Sequence, residues 1–257
     1  MKKKPIMLLA AFMLALNVGA QTRVIAHRGY WDKEGAVQNS RASLQNALEL
    51  NIYGSETDIW ITADGHLMVN HDPSFGGVTI QTSTYAQCKK LVLANGERMP
   101  ELKTFLKMMR KTKSSTKLII EIKKHAERNA NLAAAQATVK AVEKYGVAGK
   151  VEYISFSLDV CKELVRCAPK ARVAYLNGDI APETLARDGI TGIDYQLKVL
   201  RKHPDWVAEA HRLNMDVNVW TVNKVEDMRA MKQLGVDFIT TNKPLEAMSV
   251  CDEQPSF

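Results

Sequence analysis

Short strand-like runs alternate with helical patterns along nearly the whole chain, and this repetition limits the possible folds more than any other feature. Apolar residues recur three and four positions apart in the helical segments, as at Leu44 and Leu48. Strands separated by helices predict crossover units in a parallel sheet. The strand candidates are Arg23–Ala26, Ile52–Asp58, Leu67–Asn70, Leu118–Ile122, Val151–Phe156, Arg172–Leu176, Ile193–Gln196, Val217–Val222 and Asp237–Thr240.

The length of this repeat predicts an α/β fold, a (β/α)₈ (TIM) barrel, formed by residues 21–257 as a single domain. A doubly wound open sheet is the alternative. Nine strand candidates exceed the eight positions of a barrel. We expect the anomaly near Ala63-Asp64-Gly65, where a turn and no helix joins two strands. Residues 73–100, with Gly76-Gly77 and weak periodicity, predict a small excursion that shapes the mouth of the site.

Residues 1–20 have the three parts of a signal peptide. Lys2, Lys3 and Lys4 precede the apolar run Ile6–Leu16, and Val18-Gly19-Ala20 suits cleavage before Gln21. An uncleaved anchor is less favoured, because the run is shorter than the roughly 20 residues that span a bilayer. We therefore expect a periplasmic or secreted protein with no stable membrane insertion after cleavage.

Composition excludes several classes of protein. With 46% hydrophobic and 25% charged residues, the chain is neither disordered nor a disulfide scaffold. Loss of the three leader lysines lowers the formal charge from +7 to +4, which suits a small anionic substrate. The sequence contains no basic stripe with interleaved aromatic residues, so we expect no nucleic-acid partner. The four cysteines lack zinc-type spacing, and Cys161 and Cys167 on one predicted helix lie about 9 Å apart, too far for a disulfide.

Three acidic residues lie at the ends of predicted strands, where TIM barrels carry their active sites. Glu56 and Asp58 are two positions apart in an extended run, so they share one face. We expect Glu121 to meet them from a strand two places round the barrel. Three carboxylates without cysteine favour one divalent cation, Ca²⁺ or Mg²⁺. The alternative is that they form ordinary salt bridges with Arg28 and Lys123.

Two histidines also follow predicted strands. His27 and His71 are candidates for a general acid and base, because imidazole titrates near neutrality. Arg28 and Lys123 are suited to bind the oxygens of a phosphate. Trp220 lies near the end of a late strand, either as the floor of the pocket or as filling of the barrel. A structural role is expected for the remaining histidines, His66, His125, His203 and His211.

Taken in order, these motifs resemble those of the glycerophosphodiester phosphodiesterase family, whose barrel is like that of phosphatidylinositol phospholipase C. The similarity extends from about residue 23 to residue 245. The matching motifs are His27-Arg28-Gly29, Asn39-Ser40, Glu56-x-Asp58, Asp64-Gly65-x-Leu67-x-Val69-x-His71-Asp72, Glu121-x-Lys123, Ser155-Phe156, Trp220-Thr221-Val222-Asn223 and Thr240-Thr241-Asn242-Lys243-Pro244.

The resemblance implies metal-dependent hydrolysis of a glycerophosphodiester to glycerol 3-phosphate and an alcohol. It implies that Glu56, Asp58 and Glu121 bind the metal and that His27 and His71 are the acid and base. Arg28 and Lys123 would hold the phosphate.

The chain departs from the family pattern at three places. The stretch Val37-Gln38-Asn39-Ser40 lacks the usual Glu beside the Asn, and no Arg follows His71-Asp72 closely. Asn242 stands where an Asp is usual. None of these changes removes a predicted metal ligand or histidine. They bear on recognition of the alcohol part of the substrate.

Other functions remain as alternatives. A phospholipase-type enzyme acting on lysolipids or intact lipids would need an apolar rim or amphipathic helix for docking. A non-catalytic periplasmic phosphodiester-binding protein would be free to lose acids or histidines, yet all five are present. A barrel whose strand-end charges are only salt bridges does not account for the ordered motifs.

Overall fold

The computed structural model describes residues 21–254, so the predicted signal peptide lies outside the described residues. This part of the chain contains eleven strands. They are β1 (Arg23–Ala26), β2 (Gly54–Ile61), β3 (Leu67–Val69), β4 (Ser74–Phe75), β5 (Val78–Thr79), β6 (Lys117–Ile122), β7 (Val151–Ser155), β8 (Val173–Tyr175), β9 (Gly192–Gln196), β10 (Asp216–Trp220) and β11 (Phe238–Thr241).

Eight of these strands close into a parallel barrel. The neighbours run in the order β1, β11, β10, β9, β8, β7, β6 and β2, and β1 also pairs with β2. Ile25 lies opposite Gly54 where the ring closes, and a Cβ at position 54 would approach the Ile119 side chain to 2.9 Å. Closure excludes the open sheet, and the (β/α)₈ prediction is confirmed.

The ninth predicted strand, β3, lies outside the barrel. It pairs antiparallel with the end of β2, with Ile59 opposite Val69 and Ile61 opposite Leu67. The turn at Ala63–Gly65 joins the two, as expected. The prediction that Glu121 lies two strands from Glu56 and Asp58 is wrong: because β3 leaves the ring, β6 pairs directly with β2.

Ten helices accompany the strands. They are α1 (Arg41–Leu50), α2 (Tyr85–Cys88), α3 (Leu102–Lys111), α4 (Arg128–Tyr145), α5 (Leu158–Cys167), α6 (Pro182–Arg187), α7 (Leu197–Lys202), α8 (Asp205–Arg212), α9 (Val225–Leu234) and α10 (Pro244–Asp252), with 3₁₀ turns at Ile80–Thr82 and Ala148–Lys150. Ser40 and Ser157 cap α1 and α5 by accepting hydrogen bonds from Ser43 N and Val160 N.

Apolar residues form two layers around the sheet. Alternate strand residues such as Ile193 and Tyr195 face outward and pack in the layer shared with the helices. The opposite set faces into the barrel, where Ile25, Ile119 and Phe238 fill the interior with Ile154 and Leu176. This interior filling supports the floor of the site.

The excursion at residues 73–100 contains β4, β5 and α2 and has its own small core. Trp60 and Met68, from β2 and β3, pack there with Ile80, Cys88 and Met99. None of the pocket-lining residues described below comes from it, but Gln81 Oε1 accepts from Ala126 N in the loop after β6, so its role at the mouth of the site stays a prediction.

Cys88, Cys161, Cys167 and Cys251 are all free thiols. Between residues 21 and 254, none of the helices has the length and apolar character needed to cross a bilayer.

Candidate active site

The turn after β1 presents a backbone N–H to the site. Arg28 has a left-handed φ of 58°, and its N–H donates to Glu56 Oε2 at 2.7 Å. Gly29 follows at φ 78°, where a Cβ would lie 2.4 Å from Ser43 Oγ. The glycine therefore lets the chain turn against α1 and leave Arg28 over the barrel mouth.

The carboxylates of Glu56, Asp58 and Glu121 meet inside the barrel. One oxygen from each lies within 4.8 Å of the others, and all three side chains are buried. Burial raises the pKa of Glu56 well above its usual value, and the charges of Asp58 and Glu121 raise it further. Burial and Asp58 raise the pKa of Glu121 to about 8. The three carboxylates could hold a metal ion, whose charge would relieve this repulsion.

Of the three carboxylates, that of Asp58 makes the most hydrogen bonds. Asn39 Nδ2 donates to Asp58 Oδ2 at 2.7 Å, and Lys123 Nζ lies 3.0 Å from Asp58 Oδ1. Burial alone would raise its pKa, but Lys123, the Asn39 amide, His71 and Arg28 outweigh burial and lower it. Asp58 is therefore the carboxylate that stays charged in the absence of a cation.

Lys123 is itself fixed from two sides. Its Nζ bridges Asp58 Oδ1 and Glu121 Oε1, at 3.0 and 2.7 Å. Nε2 of the buried His125 accepts a hydrogen bond from Ile61 N at 3.1 Å, and its Nδ1 donates one to Lys123 O at 2.8 Å. Burial lowers the pKa of His125, so it stays neutral and has the structural role expected of it.

His71 arrives by a route that the sequence analysis did not predict. It does not follow a barrel strand: β3 runs back down β2, and Asn70 N donates to Asp58 O at 3.1 Å. Trp60 Nε1 donates to His71 O at 3.2 Å and holds the backbone. The side chain pairs with Asp72, Nδ1 to Oδ1 at 2.7 Å, which leaves Nε2 as the nitrogen available to substrate.

His27 sits deeper and contacts Asn242. Its Nδ1 lies 2.8 Å from Asn242 Oδ1, so Nδ1 carries the proton that is donated and Nε2 is left as an acceptor. Burial and the adjacent Arg28 lower the pKa of His27 to about 4, against the opposing effects of Asn242 and Asp58. His27 is therefore neutral at pH 7.

A single pocket of about 190 Å³ brings the predicted residues together. Seven of the eight line it, and Asp58 lies buried behind them in contact with Arg28 and Lys123. Trp220 lies in the wall, with Nε1 donating to Asp194 O at 2.9 Å. Trp220 also packs against the apolar cluster that fills the barrel, so its position is compatible with both interpretations. The lining residues among those predicted are His27, Arg28, Glu56, His71, Glu121, Lys123 and Trp220.

Two residues of the site received no role from the sequence analysis. Asn39 belongs to a recognised motif, but its contact with Asp58 depends on its left-handed φ of 58° and on the loop fold. Asp194 lines the pocket from β9. Asp194 is the one charged residue of the strand Gly192–Gln196, and this was the available signal for it.

Comparison with known proteins agrees with this architecture. A Parabacteroides distasonis glycerophosphodiester phosphodiesterase of known crystal structure is 46% identical, covers 90% of this chain and 97% of its own, and superposes with a TM-score of 0.89. A glycerophosphodiester phosphodiesterase of Caldanaerobacter subterraneus is 27% identical over 87% of this chain and 95% of its own length.

A more distant phosphodiesterase, from Oleispira antarctica, shares the fold. It has a TM-score of 0.78 at 18% identity, covers 91% of this chain and 98% of its own, and was solved in complex with the product sn-glycerol-3-phosphate. The sequence pattern of the glycerophosphoryl diester phosphodiesterase family matches residues 27–246, which include every predicted site residue. The chain belongs to the glycerophosphoryl diester phosphodiesterase family.

Proposed function

We propose that this enzyme hydrolyses glycerophosphodiesters to glycerol 3-phosphate and an alcohol, with one divalent cation, Ca²⁺ or Mg²⁺, held by Glu56, Asp58 and Glu121. The observation that carries the proposal is the meeting of these carboxylates in one pocket with two histidines and two fixed cations. The product bound to the Oleispira relative supports the same reaction.

The site has the oxygen ligands that a hard cation prefers. The three candidate ligands are carboxylates, and Glu56 Oε1 is buried without a hydrogen-bond partner among residues 21–254. When bound, the cation withdraws charge from the phosphate oxygens and lowers the pKa of an attacking hydroxyl. Burial and repulsion among the carboxylates raise the pKa of Glu56 and of Glu121, and a bound cation would favour their charged forms.

Two cationic side chains are placed to bind the phosphate. Lys123 is anchored by Asp58 and Glu121, and Arg28 Nη1 donates to Gln38 Oε1 at 2.6 Å. Both line the pocket, so their charges are oriented before the substrate arrives. Gln38 is neutral and does not offset the Arg28 charge, which is shared with Asp58, whose Oδ2 lies 3.7 Å from Arg28 Nε.

The two histidines suit opposite proton transfers. His27 is neutral at pH 7 and offers Nε2 as the acceptor of the nucleophile's proton. His71, paired with Asp72, donates a proton to the departing oxygen as the bond between phosphorus and the alcohol oxygen breaks, so the alcohol leaves with a hydroxyl group and not as an alkoxide. Over the whole reaction, water supplies the oxygen of the new bond to phosphorus and the proton that balances the one His71 gives up.

The surface favours a small, water-soluble diester over intact lipid. The only exposed large apolar side chains between residues 21 and 254 are Val92 and Leu245, too few for an apolar docking rim. The test is product analysis with glycerophosphocholine, glycerophosphoethanolamine and lysophosphatidylcholine micelles. We expect glycerol 3-phosphate from the first two. Release of phosphocholine, or turnover of the micelles alone, would contradict the proposal.

We also propose export to the periplasm or the medium, on the basis of the Lys2–Lys4 and Ile6–Leu16 pattern. Expression of the full chain in a bacterium and N-terminal sequencing of the exported fraction tests this. Export with a mature end at Gln21 is expected. Retention of the intact leader in the cytoplasm would overturn it.

A further inference from the structure

The pocket has two walls of different chemistry. The carboxylates, histidines and cations come from β1, β2, β6 and the segment after β3. The facing wall comes from β7 to β11 and is mostly apolar, with Phe156 and Trp220 packed edge to face at 5.4 Å between ring centroids. Among the residues of this wall, Asp194 carries the one carboxylate. The wall residues are Ile154, Phe156, Leu176, Asp194, Trp220, Thr221 and Thr240.

Asp194 is buried and incompletely bonded. Its side chain is 1% exposed, and Oδ1 has no hydrogen-bond partner in the described part of the chain. Its neighbour in the sheet register, Asn218, exchanges hydrogen bonds with Thr240 at 2.9 and 3.2 Å. An acceptor oxygen left unpaired in the interior destabilises a fold, unless a ligand completes its bonding.

The position of Asp194 across the barrel fits one part of the substrate. β9 is four strands from β2 in either direction round the ring, so Asp194 faces the strand of Glu56 and Asp58. A phosphate held between Arg28, Lys123 and the carboxylates would direct the rest of the diester toward the opposite wall. Trp220 and Phe156 offer apolar surface to carbon atoms there, and Asp194 offers an acceptor.

A neutral donor suits this acceptor better than a cation. Burial raises the pKa of Asp194 to about 7, with the Asn218 amide opposing the rise, so part of the population is uncharged at neutral pH. The cationic side chains of this pocket, Arg28 and Lys123, lie on the opposite wall. A hydroxyl can bond to the carboxylate and to the carboxylic acid alike.

We propose that Asp194 binds a hydroxyl of the substrate's glycerol and so determines specificity for glycerol-bearing phosphodiesters. The inference rests on the proposed function and adds a glycerol subsite to it. The indole of Trp220, fixed by its hydrogen bond to the backbone oxygen of Asp194, completes the subsite.

Calorimetric binding of two ligands tests the subsite directly. Glycerol 3-phosphate and inorganic phosphate are titrated, with Ca²⁺ present, into the wild type, Asp194→Ala and the control Asp216→Asn. Asp216 lies on the adjacent strand β10 and pairs with Arg172 away from this pocket. Asp194→Ala should weaken the binding of glycerol 3-phosphate by about 10-fold or more and the binding of inorganic phosphate by less than about 2-fold. The control should change neither.

The other outcomes are distinguishable. Equal loss of both ligands would show a general distortion and overturn the subsite. Unchanged binding with a lower melting temperature would show that Asp194 serves only the small cavity of about 30 Å³ beneath the pocket, and would likewise overturn it. Failure of the wild type to bind glycerol 3-phosphate would defeat the proposed function as well.

The kinetics of Asp194→Ala, which removes the acceptor oxygens, separate recognition of the glycerol from recognition of the alcohol that the diester carries. If the carboxylate binds glycerol, the KM of this variant rises by a similar factor for glycerophosphocholine, glycerophosphoethanolamine and the uncharged-alcohol diester glycerophosphoglycerol. A rise confined to the two diesters with cationic alcohols would assign Asp194 to that cation and contradict the proposal.

Discussion

The side chain of Asn39 makes hydrogen bonds to both the side chain and the backbone of Asp58. Its Nδ2 donates to Asp58 Oδ2 at 2.7 Å, while its Oδ1 accepts from Asp58 N at 3.2 Å and from Thr57 Oγ1 at 2.9 Å. The pair joins the loop before α1 to β2 and fixes the one site carboxylate whose pKa is lowered. The geometry of the candidate metal centre therefore depends on a residue that need not touch the metal.

Asn39→Ala is expected to weaken Ca²⁺ or Mg²⁺ binding by about 10- to 100-fold, because the Asp58 carboxylate loses the donor that orients it. Calorimetric titration of the cation measures this. Asn95→Ala removes a similar amide, which bonds only Gly35 O and Glu97, and should leave the affinity unchanged. Equal affinity in wild type and Asn39→Ala would show that Asp58 needs no such support.

The metal-free protein should lose stability as pH rises from about 6.5 to 8. Glu121 has a folded pKa of about 8, and Glu56 is also raised, so the native state keeps protons that the unfolded chain has released. The free energy of unfolding then falls by on the order of 1 kcal/mol over this range. Urea unfolding in the presence of a chelator measures the slope.

Glu121→Gln is the matched variant for that slope. The amide cannot titrate, so the fall in unfolding free energy between pH 6.5 and 8 should become smaller. Saturating Ca²⁺ should reverse the trend in the wild type, since the cation binds the deprotonated carboxylates. A metal-free stability that rises with pH in this window would contradict the assignment of raised pKa values.

Asn242→Asp should raise the pKa of His27. Burial and Arg28 hold this pKa near 4, and a carboxylate in place of the amide would favour the imidazolium. If His27 is the base, activity is lost as pH falls through its pKa, so the acid limb of kcat/KM should move to higher pH. NMR titration of the His27 ring checks the shift independently. An unmoved acid limb with a raised ring pKa would remove His27 from the role of base.

Gly29→Ala should destabilise the protein by about 3 kcal/mol or more. The added Cβ meets Ser43 Oγ at 2.4 Å and the Ser43 backbone carbon at 2.7 Å, at a left-handed φ. Gly35→Ala is the control, because Gly35 has the same φ of 78° with no atom within 4 Å, and should cost only about 1 kcal/mol. Similar losses in urea unfolding for both variants would rule out the contact with α1 as the cause.

The barrel was predictable from sequence because the crossover pattern of helix and strand is local and repeated. The position of Glu121 was not, since the path of Leu67–Val69 depends on its pairing with β2 and not on its own residues. A run that reads as a barrel strand can equally pair at the end of its predecessor. Because β3 lies outside the ring, the strand of Glu121 is adjacent to β2, and His71 reaches the site at the end of an antiparallel strand.

The site was predictable where a motif carries the chemistry in its own residues. His27, Arg28, Glu56 and Lys123 were identified and lie together. The supporting contacts were not predicted, because they join distant segments: Asn242 reaches His27 across 215 positions of sequence. A sequence shows which groups are available, and the closed ring decides which of them meet.

The central claim is that Glu56, Asp58 and Glu121 hold the cation required for release of glycerol 3-phosphate. The direct measurement is the rate of release from glycerophosphocholine as Ca²⁺ or Mg²⁺ is restored to chelator-treated wild type, Glu56→Gln and Glu152→Gln. Glu152 is a partly buried barrel carboxylate that bonds Tyr53 outside the pocket. We predict cation-dependent release in the wild type and in Glu152→Gln, with at least a 100-fold loss in Glu56→Gln. Undiminished release after chelation, or full activity of Glu56→Gln, would contradict the account.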